Sequence, residues 1–337
     1  MLKPFEELVP TLVAELADLE VRRRKLAARS LQGWFVFAAI LSGAGLVAFL
    51  LFRSQMPFLG FLVGVMSVIG AVGVLYFQLA QFTAEFAVPF KTEVIGRIAA
   101  LITEGGLQYH PAGTIPEESY KASELFRRPY HRYSGEDLFT GQVGGTRISL
   151  SELHTQYKTE STDSTQQTAT EWHTIFRGLF IVADFPKNFQ GKTFVRPDQA
   201  ENALGFLGRS LQKTISSGDE PLVQLEDPEF EKAFVVNATD QVEARYILSI
   251  SLMKRMVDLR SRMNADLSFA FVRNQIFIAI TSFPKSWEMS RPPKNLFEPD
   301  ITKSITVIEN LRVFYDDLAS CLTIVEDLAL NVHIWGK

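Results

Sequence analysis

The chain has 337 residues, of which 47% are hydrophobic and 21% are charged, and its formal net charge is −4. This composition excludes a disordered chain, and the acidic balance argues against a general nucleic-acid-binding surface. Cys321 is the only cysteine in the sequence, so an intramolecular disulfide is impossible.

Residues 1–30 predict an amphipathic helix, because apolar side chains recur at helical spacing from Phe5 to Leu19. The end of this segment is strongly basic. We expect its cationic side chains to contact anionic lipid head groups at a membrane surface. These membrane-surface residues are Arg22, Arg23, Arg24, Lys25 and Arg29.

Residues 31–80 predict a transmembrane helical hairpin. Its two spans, 34–52 and 56–80, contain no charged residue, and each is long enough to cross a hydrocarbon core of about 30 Å. Only three residues separate the spans, so the helices must run antiparallel. Basic residues precede the first span and only Arg53 lies between the two, which predicts that both termini and the following domain are cytoplasmic.

Residues 81–106 predict a juxtamembrane helix with an apolar stripe that includes Phe86, Phe90 and Ile98. Pro89 is expected to kink it, and Gly105 and Gly106 to end it. Since this helix and the N-terminal helix leave the membrane on one side, we expect them to bury their stripes against each other as an antiparallel stalk.

Residues 107–337 predict a cytoplasmic domain of antiparallel β-hairpins packed with helices. The expected hairpins turn at Gly144–Gly145 and at Arg273–Asn274, and a third spans residues 178–198. The polar stretch 158–170 is expected to be a mobile loop or hairpin tip. The fold class is therefore α+β, with an N-terminal transmembrane hairpin and amphipathic stalk helices ahead of the domain.

Three helices and one further strand complete the predicted domain. The helical patterns cover residues 200–215, residues 241–264, and a last stretch from residue 301 to about residue 330. The strand is predicted over residues 230–240. Strands come mostly before helices, which argues against a doubly wound parallel sheet.

Gly191-Lys192-Thr193 resembles the end of a phosphate-binding loop, but Pro186 stands where that motif needs its first glycine and a strand follows where it needs a helix. We therefore expect no nucleotide binding. The five histidines have no metal-ligand spacing. The sequence predicts neither a metal site nor a cofactor, and it identifies no catalytic residue.

Three aspartates at or after the ends of predicted strands are the candidate ligand-binding residues: Asp184, Asp198 and Asp240. Carboxylates at strand ends can bind a metal or act as acid and base. The alternative is that they close turns or cap helices. Asp240 fits an N-cap, with Glu243 completing a capping box.

The two predicted spans and three later segments carry a family resemblance. In this order the spans and the segments 176–198, 230–259 and 267–280 resemble a bacterial family of membrane-anchored proteins catalogued as domain of unknown function three-one-three-seven, over roughly residues 30–335. The resemblance implies a bacterial inner-membrane protein and no known activity. Its typical residues are Gly178, Asp184, Phe185, Phe189, Gly191, Thr193, Phe234, Val236, Asp240, Glu243, Ala244, Arg245, Tyr246 and Leu248.

The sequence favours a membrane-anchored binding or scaffolding domain of unknown ligand, with the lipid bilayer and a protein partner or a second copy of the chain as its partners. Nucleic acid is not an expected partner. Two alternatives remain open: an oligomeric channel or transporter component, and a metal-dependent or acid/base hydrolase that uses the strand-end aspartates.

Overall fold

The computed structural model describes residues 2–54, 56–162, 168–185, 188–198, 220–263, 265–281, 297–300 and 303–328. It combines long apolar N-terminal helices with an antiparallel sheet domain, so the α+β class is confirmed. The chain forms two compact units. The helical unit contains residues 4–98 and 296–315, and the sheet unit contains residues 1–3, 99–295 and 316–337.

The helical unit is built on two long helices. Helix α1 (Phe5–Glu15) is followed after Leu16 by α2 (Ala17–Arg53), and α3 (Pro57–Phe90) runs back beside α2. The chain continues through a π-helical turn, Lys91–Ile95, into α4 (Gly96–Ile102). The π-helical turn follows directly on Pro89, which has no amide hydrogen to continue the α-helical pattern.

Helices α2 and α3 are antiparallel. A Cβ on Gly60 would lie 2.8 Å from the carbonyl oxygen of Ala48, and a Cβ on Gly33 would lie 2.4 Å from Oε1 of Gln78. Both helices are long and apolar enough to cross a membrane. Their apolar side chains point outward over this stretch, and Phe35 and Phe58 are 76% and 79% exposed.

The predicted stalk stripes are buried within the helical unit. The buried side chains include Leu8, Leu12 and Leu19 of the first two helices and Phe86 and Phe90 of α3. Arg97 donates to both carboxylate oxygens of Glu15, at 2.5 and 2.6 Å, and so joins α4 to α1.

The helical unit also includes the first part of the last helix, α9 (Ile308–Asp327), up to residue 315. Tyr315 packs on Phe5 with ring centroids 5.2 Å apart, and Phe314 packs on Phe90 at 5.1 Å. The last helix was predicted to begin at residue 301, and in the structure it begins seven residues later, at Ile308. Residues 329 and 330 of the prediction lie outside the described part of the chain.

The sheet unit contains an eight-stranded antiparallel sheet in the order β1-β2-β3-β4-β8-β7-β5-β6. The first four strands form a meander, and the β7–β8 hairpin lies between β4 and β5. The strands are β1 (Leu107–His110), β2 (Arg132–Val143), β3 (Thr146–Thr162), β4 (Thr168–Asp184), β5 (Lys192–Pro197), β6 (Phe234–Ala238), β7 (Asp266–Val272) and β8 (Gln275–Thr281).

Short helices connect and cover these strands: α5 (Glu117–Ala122), α6 (Pro228–Ala233), α7 (Gln241–Ile247) and α8 (Ile250–Met263). The predicted helix over 241–264 is thus two helices that separate at Leu248 and Ser249. The predicted strand over 230–240 is half wrong, because α6 occupies its beginning. The predicted helix over 200–215 lies outside the described residues.

Two predicted hairpins are confirmed and one is wrong. The β2–β3 turn uses Gly144 and Gly145, whose φ angles of 57° and 89° favour glycine. The β7–β8 turn uses Arg273 and Asn274. However, β4 does not pair with β5, because β8 pairs with β4 and β7 pairs with β5.

The β7–β8 hairpin lies in the buried core of the sheet unit. Almost every residue of β7 and β8 is buried, so both faces of these strands are covered. One face carries an aromatic cluster that includes Tyr120, Phe176, Phe180, Phe194 and Phe277. Phe126, in the loop after α5, lies over this face with its ring 4.9 Å from that of Phe176.

Candidate functional site

The three candidate aspartates lie apart in the sheet unit. Asp184 ends β4, and Asp198 follows β5. Because β5 runs antiparallel to β4, the two aspartates lie at opposite ends of the strands. Asp240 lies at the same end of the strands as Asp184. Its strand, β6, is four positions from β4, which separates the two residues by roughly 19 Å at about 4.8 Å per strand. Among the described residues, no group of three His, Cys, Asp or Glu side chains could hold a metal ion.

Each of the three aspartates has a local contact. Asp184 Oδ2 lies 3.9 Å from Arg147, and the Asp198 amide donates to the Ala233 carbonyl at 3.0 Å. The predicted N-cap at Asp240 is confirmed, because its Oδ1 accepts from the amides of Val242 and Glu243 at 2.8 and 3.0 Å. The cap accounts for the Asp240 carboxylate in this structure.

Glu243 does not complete a capping box. Its carboxylate instead accepts from the backbone amides of Gln190 and Gly191 at 3.1 and 2.7 Å. Thr239 Oγ1 accepts from the next amide, Lys192, at 2.9 Å. The backbone amides around the Gly-Lys-Thr motif are therefore bonded to side chains of this chain, and Thr193 is buried in β5. This arrangement differs from that of a phosphate-binding loop.

The basic N-terminal cluster is partly internal. Arg23 is 7% exposed and gives Glu20 two hydrogen bonds of 2.8 Å, from Nε and Nη2. Glu20 lies three residues earlier on α2, where its side chain faces Arg23. The hydrogen bonds from Arg23 lower the pKa of Glu20 to about 2, against the effect of burial. The other basic residues of the cluster remain exposed: Arg22, Arg24, Lys25 and Arg29.

The sheet unit contains a partly buried charged cluster that sequence reasoning missed. We call it the arginine cluster; it consists of Arg127, Arg196, Lys192, Glu124, Glu220 and Phe194. Lys192, Phe194 and Arg196 alternate along β5 and therefore share one face of the sheet. Arg127 follows α5 in the loop that lies over this face.

Within the arginine cluster, Arg127 pairs with Glu220 and lies 3.4 Å from Glu124, and the Lys192 ammonium lies 2.5 Å from Glu124. The two guanidinium groups lie over the ring of Phe194, at 5.3 Å for Arg127 and 4.8 Å for Arg196. This places two cations close to one aromatic ring, which attracts both.

Arg196 is the most deeply buried charged group of the cluster. It is 6% exposed, and its Nε and Nη2 atoms are buried with no hydrogen-bond partner among the described residues. Burial and the neighbouring Arg127 lower the pKa of Arg196 to about 10, so the group remains charged at neutral pH. Burial opposes the ionisation of Glu220, yet Arg127 lowers its pKa on balance.

The single cysteine is buried. Cys321 is 3% exposed, and burial followed by the neighbouring Asp317 raises its pKa to about 12. The thiolate form that reacts as a nucleophile is therefore scarce at neutral pH.

The geometry defines a class: an antiparallel α+β domain in a chain that also has two apolar helices long enough to span a membrane. Residues 174–330 match the model of a family described as a protein of unknown function, DUF3137, which confirms the resemblance seen in the sequence. The matched region begins in β4 and includes Arg196 and Glu220, and it does not extend to the spans.

Comparison with curated proteins gives no match. Among solved structures, one similar chain is the mycobacterial trehalose monomycolate transport factor A, TtfA, at 12% identity and a TM-score of 0.31. The likeness covers 67% of this chain and 95% of that chain. At this TM-score it supports no inference about the present chain.

Proposed function

We propose that this chain is a two-span protein of the bacterial inner membrane whose α+β domain binds a ligand or partner on the cytoplasmic side. In this proposal, residues 31–80 anchor the chain, residues 1–30 and 81–106 form the stalk, and residues 107–337 form the binding domain. One observation carries the anchoring role: the apolar side chains of α2 and α3 are exposed along both predicted spans.

The exposed apolar surface is far larger than a water-soluble helix pair tolerates. Trp34, Phe35 and Phe49 on α2 and Phe58 and Phe61 on α3 are each at least half exposed. Large contiguous apolar surfaces of this kind mark contact with another apolar phase. A bilayer suits this pair, since all helical backbone groups bond internally except at the ends.

The orientation is inferred from the distribution of exposed charge. Arg22, Arg24, Lys25 and Arg29 are exposed before the first span, whereas Arg53 is the one basic residue between the spans. Short flanks rich in Arg and Lys are retained in the cytoplasm. The four exposed cations also suit contact with anionic head groups, each contributing about 1 kcal/mol near the surface. Arg23 is left out of this contact, because Glu20 holds it inside.

The binding role is supported by the arginine cluster. A buried guanidinium without hydrogen-bond partners is costly to a fold, and such a group is more readily explained by a ligand than by structure alone. The hydrolase alternative has less support, since the candidate aspartates are separated and Asp240 caps a helix. No specific contact within the described residues favours the channel alternative.

Fusion reporters test the orientation. Alkaline phosphatase fused after residue 337 should be inactive in a bacterial host, and a fluorescent protein fused there should fluoresce. The same phosphatase inserted after Ser54 serves as the matched control and should be active. High phosphatase activity after residue 337 would overturn the proposal.

A further inference from the structure

We infer that the arginine cluster binds a small carboxylate anion, held by the Nε and Nη2 atoms of Arg196. The inference rests on the proposed binding role and adds the chemical class of the ligand. It starts from the two buried nitrogens of Arg196, which have no hydrogen-bond partner in the part of the chain that the structure describes.

The same two atoms bind carboxylates elsewhere in this chain. Arg23 uses Nε and Nη2 to hold both oxygens of Glu20, each at 2.8 Å. Arg97 uses Nε and Nη2 to hold both oxygens of Glu15. The two N–H bonds on this side of a guanidinium are parallel, and their spacing matches the two oxygens of a carboxylate. In Arg196 this pair of donors is buried and unused.

The charge of the cluster calls for one additional negative charge. Arg127, Lys192 and Arg196 supply three positive charges, and Glu124 and Glu220 supply two negative charges. Both glutamates already contact Arg127, and Glu124 also contacts Lys192. A monovalent carboxylate would neutralise the remainder, whereas phosphate at neutral pH carries about −1.5 to −2 and would leave an excess of negative charge.

The burial of the donors sets the size of the ligand. Both nitrogens are covered by surrounding protein, so a carboxylate on a folded partner surface could not reach them without large rearrangement. The ligand that we infer is therefore a free anion of a few heavy atoms. The ring of Phe194, 4.8 Å from the guanidinium, gives the site one apolar wall suited to a short aliphatic group.

The internal rival is Glu220, whose Oε2 is also buried and finds no hydrogen-bond partner within the described ranges. If Glu220 turned toward Arg196, the cluster would satisfy itself and bind no anion. The two explanations predict different responses to added carboxylate. They also predict different effects of removing the paired Nε and Nη2 donors of Arg196 and of removing its charge.

The test is thermal unfolding of the full chain in detergent, titrated with sodium acetate at ionic strength matched with sodium chloride. We expect acetate to raise the Tm of the wild-type protein by a few degrees in a saturable manner, and phosphate to have a much smaller effect. Arg196→Lys keeps the charge but lacks the paired guanidinium donors, so it should abolish the acetate response. Arg132→Lys, at an exposed arginine of the same unit, is the matched control and should keep it.

Arg196→Met guards against a simple folding defect. Without acetate its Tm should equal or exceed that of the wild type, because an unpaired buried charge has been removed. Three results would each overturn the inference: no acetate response beyond that of chloride, a response to phosphate alone, or a large loss of Tm in Arg196→Met, which would indicate pairing with Glu220. The fusion reporters are independent of Arg196, so failure of the anion site leaves the orientation test unaffected.

Discussion

Replacing Glu20 with glutamine should strongly destabilise the helical unit. Glu20 is 4% exposed and accepts hydrogen bonds from Arg23, Arg24 and the Ile305 amide. Glutamine offers one acceptor oxygen and no charge, so the buried guanidinium of Arg23 loses its counter-ion. Removing one partner of a buried pair leaves an uncompensated buried charge.

The size of the effect follows from the pKa of the Glu20 carboxyl. A fall from 4.5 to about 2 corresponds to about 3 kcal/mol in favour of the folded state with a charged carboxylate. At 2–4 °C per kcal/mol, the Tm of Glu20→Gln at pH 7 should be lower by roughly 6–12 °C. The matched control is Glu85→Gln on α3, where the side chain is exposed, and its Tm should stay within about 1 °C of wild type on the same scale.

The pH dependence has a definite sign. The folded pKa is below the unfolded value, so this stabilisation is fully present above about pH 4.5 and is lost as pH falls toward about 2. Thermal unfolding of the detergent-solubilised wild type and Glu20→Gln, measured from pH 7 down to pH 3, should show the difference in Tm shrinking. A Tm difference below about 2 °C at pH 7, or one that does not change with pH, would refute this account of Glu20.

Two further predictions concern the contacts around α7. Asp240→Ala should lower stability by about 0.5–2 kcal/mol, and Asp240→Asn should recover most of it by keeping a capping oxygen. If the Tm of both variants equals or exceeds that of the wild type, Asp240 does not stabilise the fold as an N-cap. Gly191→Ala should cost about 1–3 kcal/mol, because its Cβ would lie 2.8 Å from Thr239 Oγ1 and 3.2 Å from Glu243 Oε2. Gly43→Ala is the control: its Cβ would have no atom within 4 Å and alanine is the better helix former, so this change should not lower stability.

Local signals in the sequence were sufficient for the parts of the fold that depend on neighbouring residues. The Gly144–Gly145 and Arg273–Asn274 turns were predicted because a hairpin turn is set by two adjacent residues. The Asp240 cap was predicted for the same reason. The apolar spans were identified from their length and lack of charge.

Contacts between distant parts of the chain were not predictable in this way. The hairpin expected over residues 178–198 fails because β7 and β8, about seventy residues later in the chain, lie between its two strands. Glu243 was expected to bond within its own helix, yet its partners are the amides of Gln190 and Gly191. No local pattern encodes either pairing.

The arginine cluster was missed for a related reason. Arg127, Arg196 and Glu220 are far apart in the sequence, and a sheet with helical cover brings them together. One signal was available: Arg196 lies two residues after Phe194 in the apolar strand "KTFVRP". Because strand residues alternate between faces, an arginine in phase with a buried phenylalanine points to a buried charge.

The most direct test of the central claim is labelling of single cysteines in intact bacterial cells with a membrane-impermeant maleimide. The native thiol gives little background, because Cys321 is buried and its pKa is raised to about 12. Ser54→Cys lies in the turn between the spans, and Glu118→Cys lies at an exposed position of α5. We predict labelling of Ser54→Cys in intact cells, and labelling of Glu118→Cys only after the inner membrane is permeabilised. Labelling of Glu118→Cys in intact cells, or protection of Ser54→Cys, would contradict a membrane anchor that holds the domain in the cytoplasm.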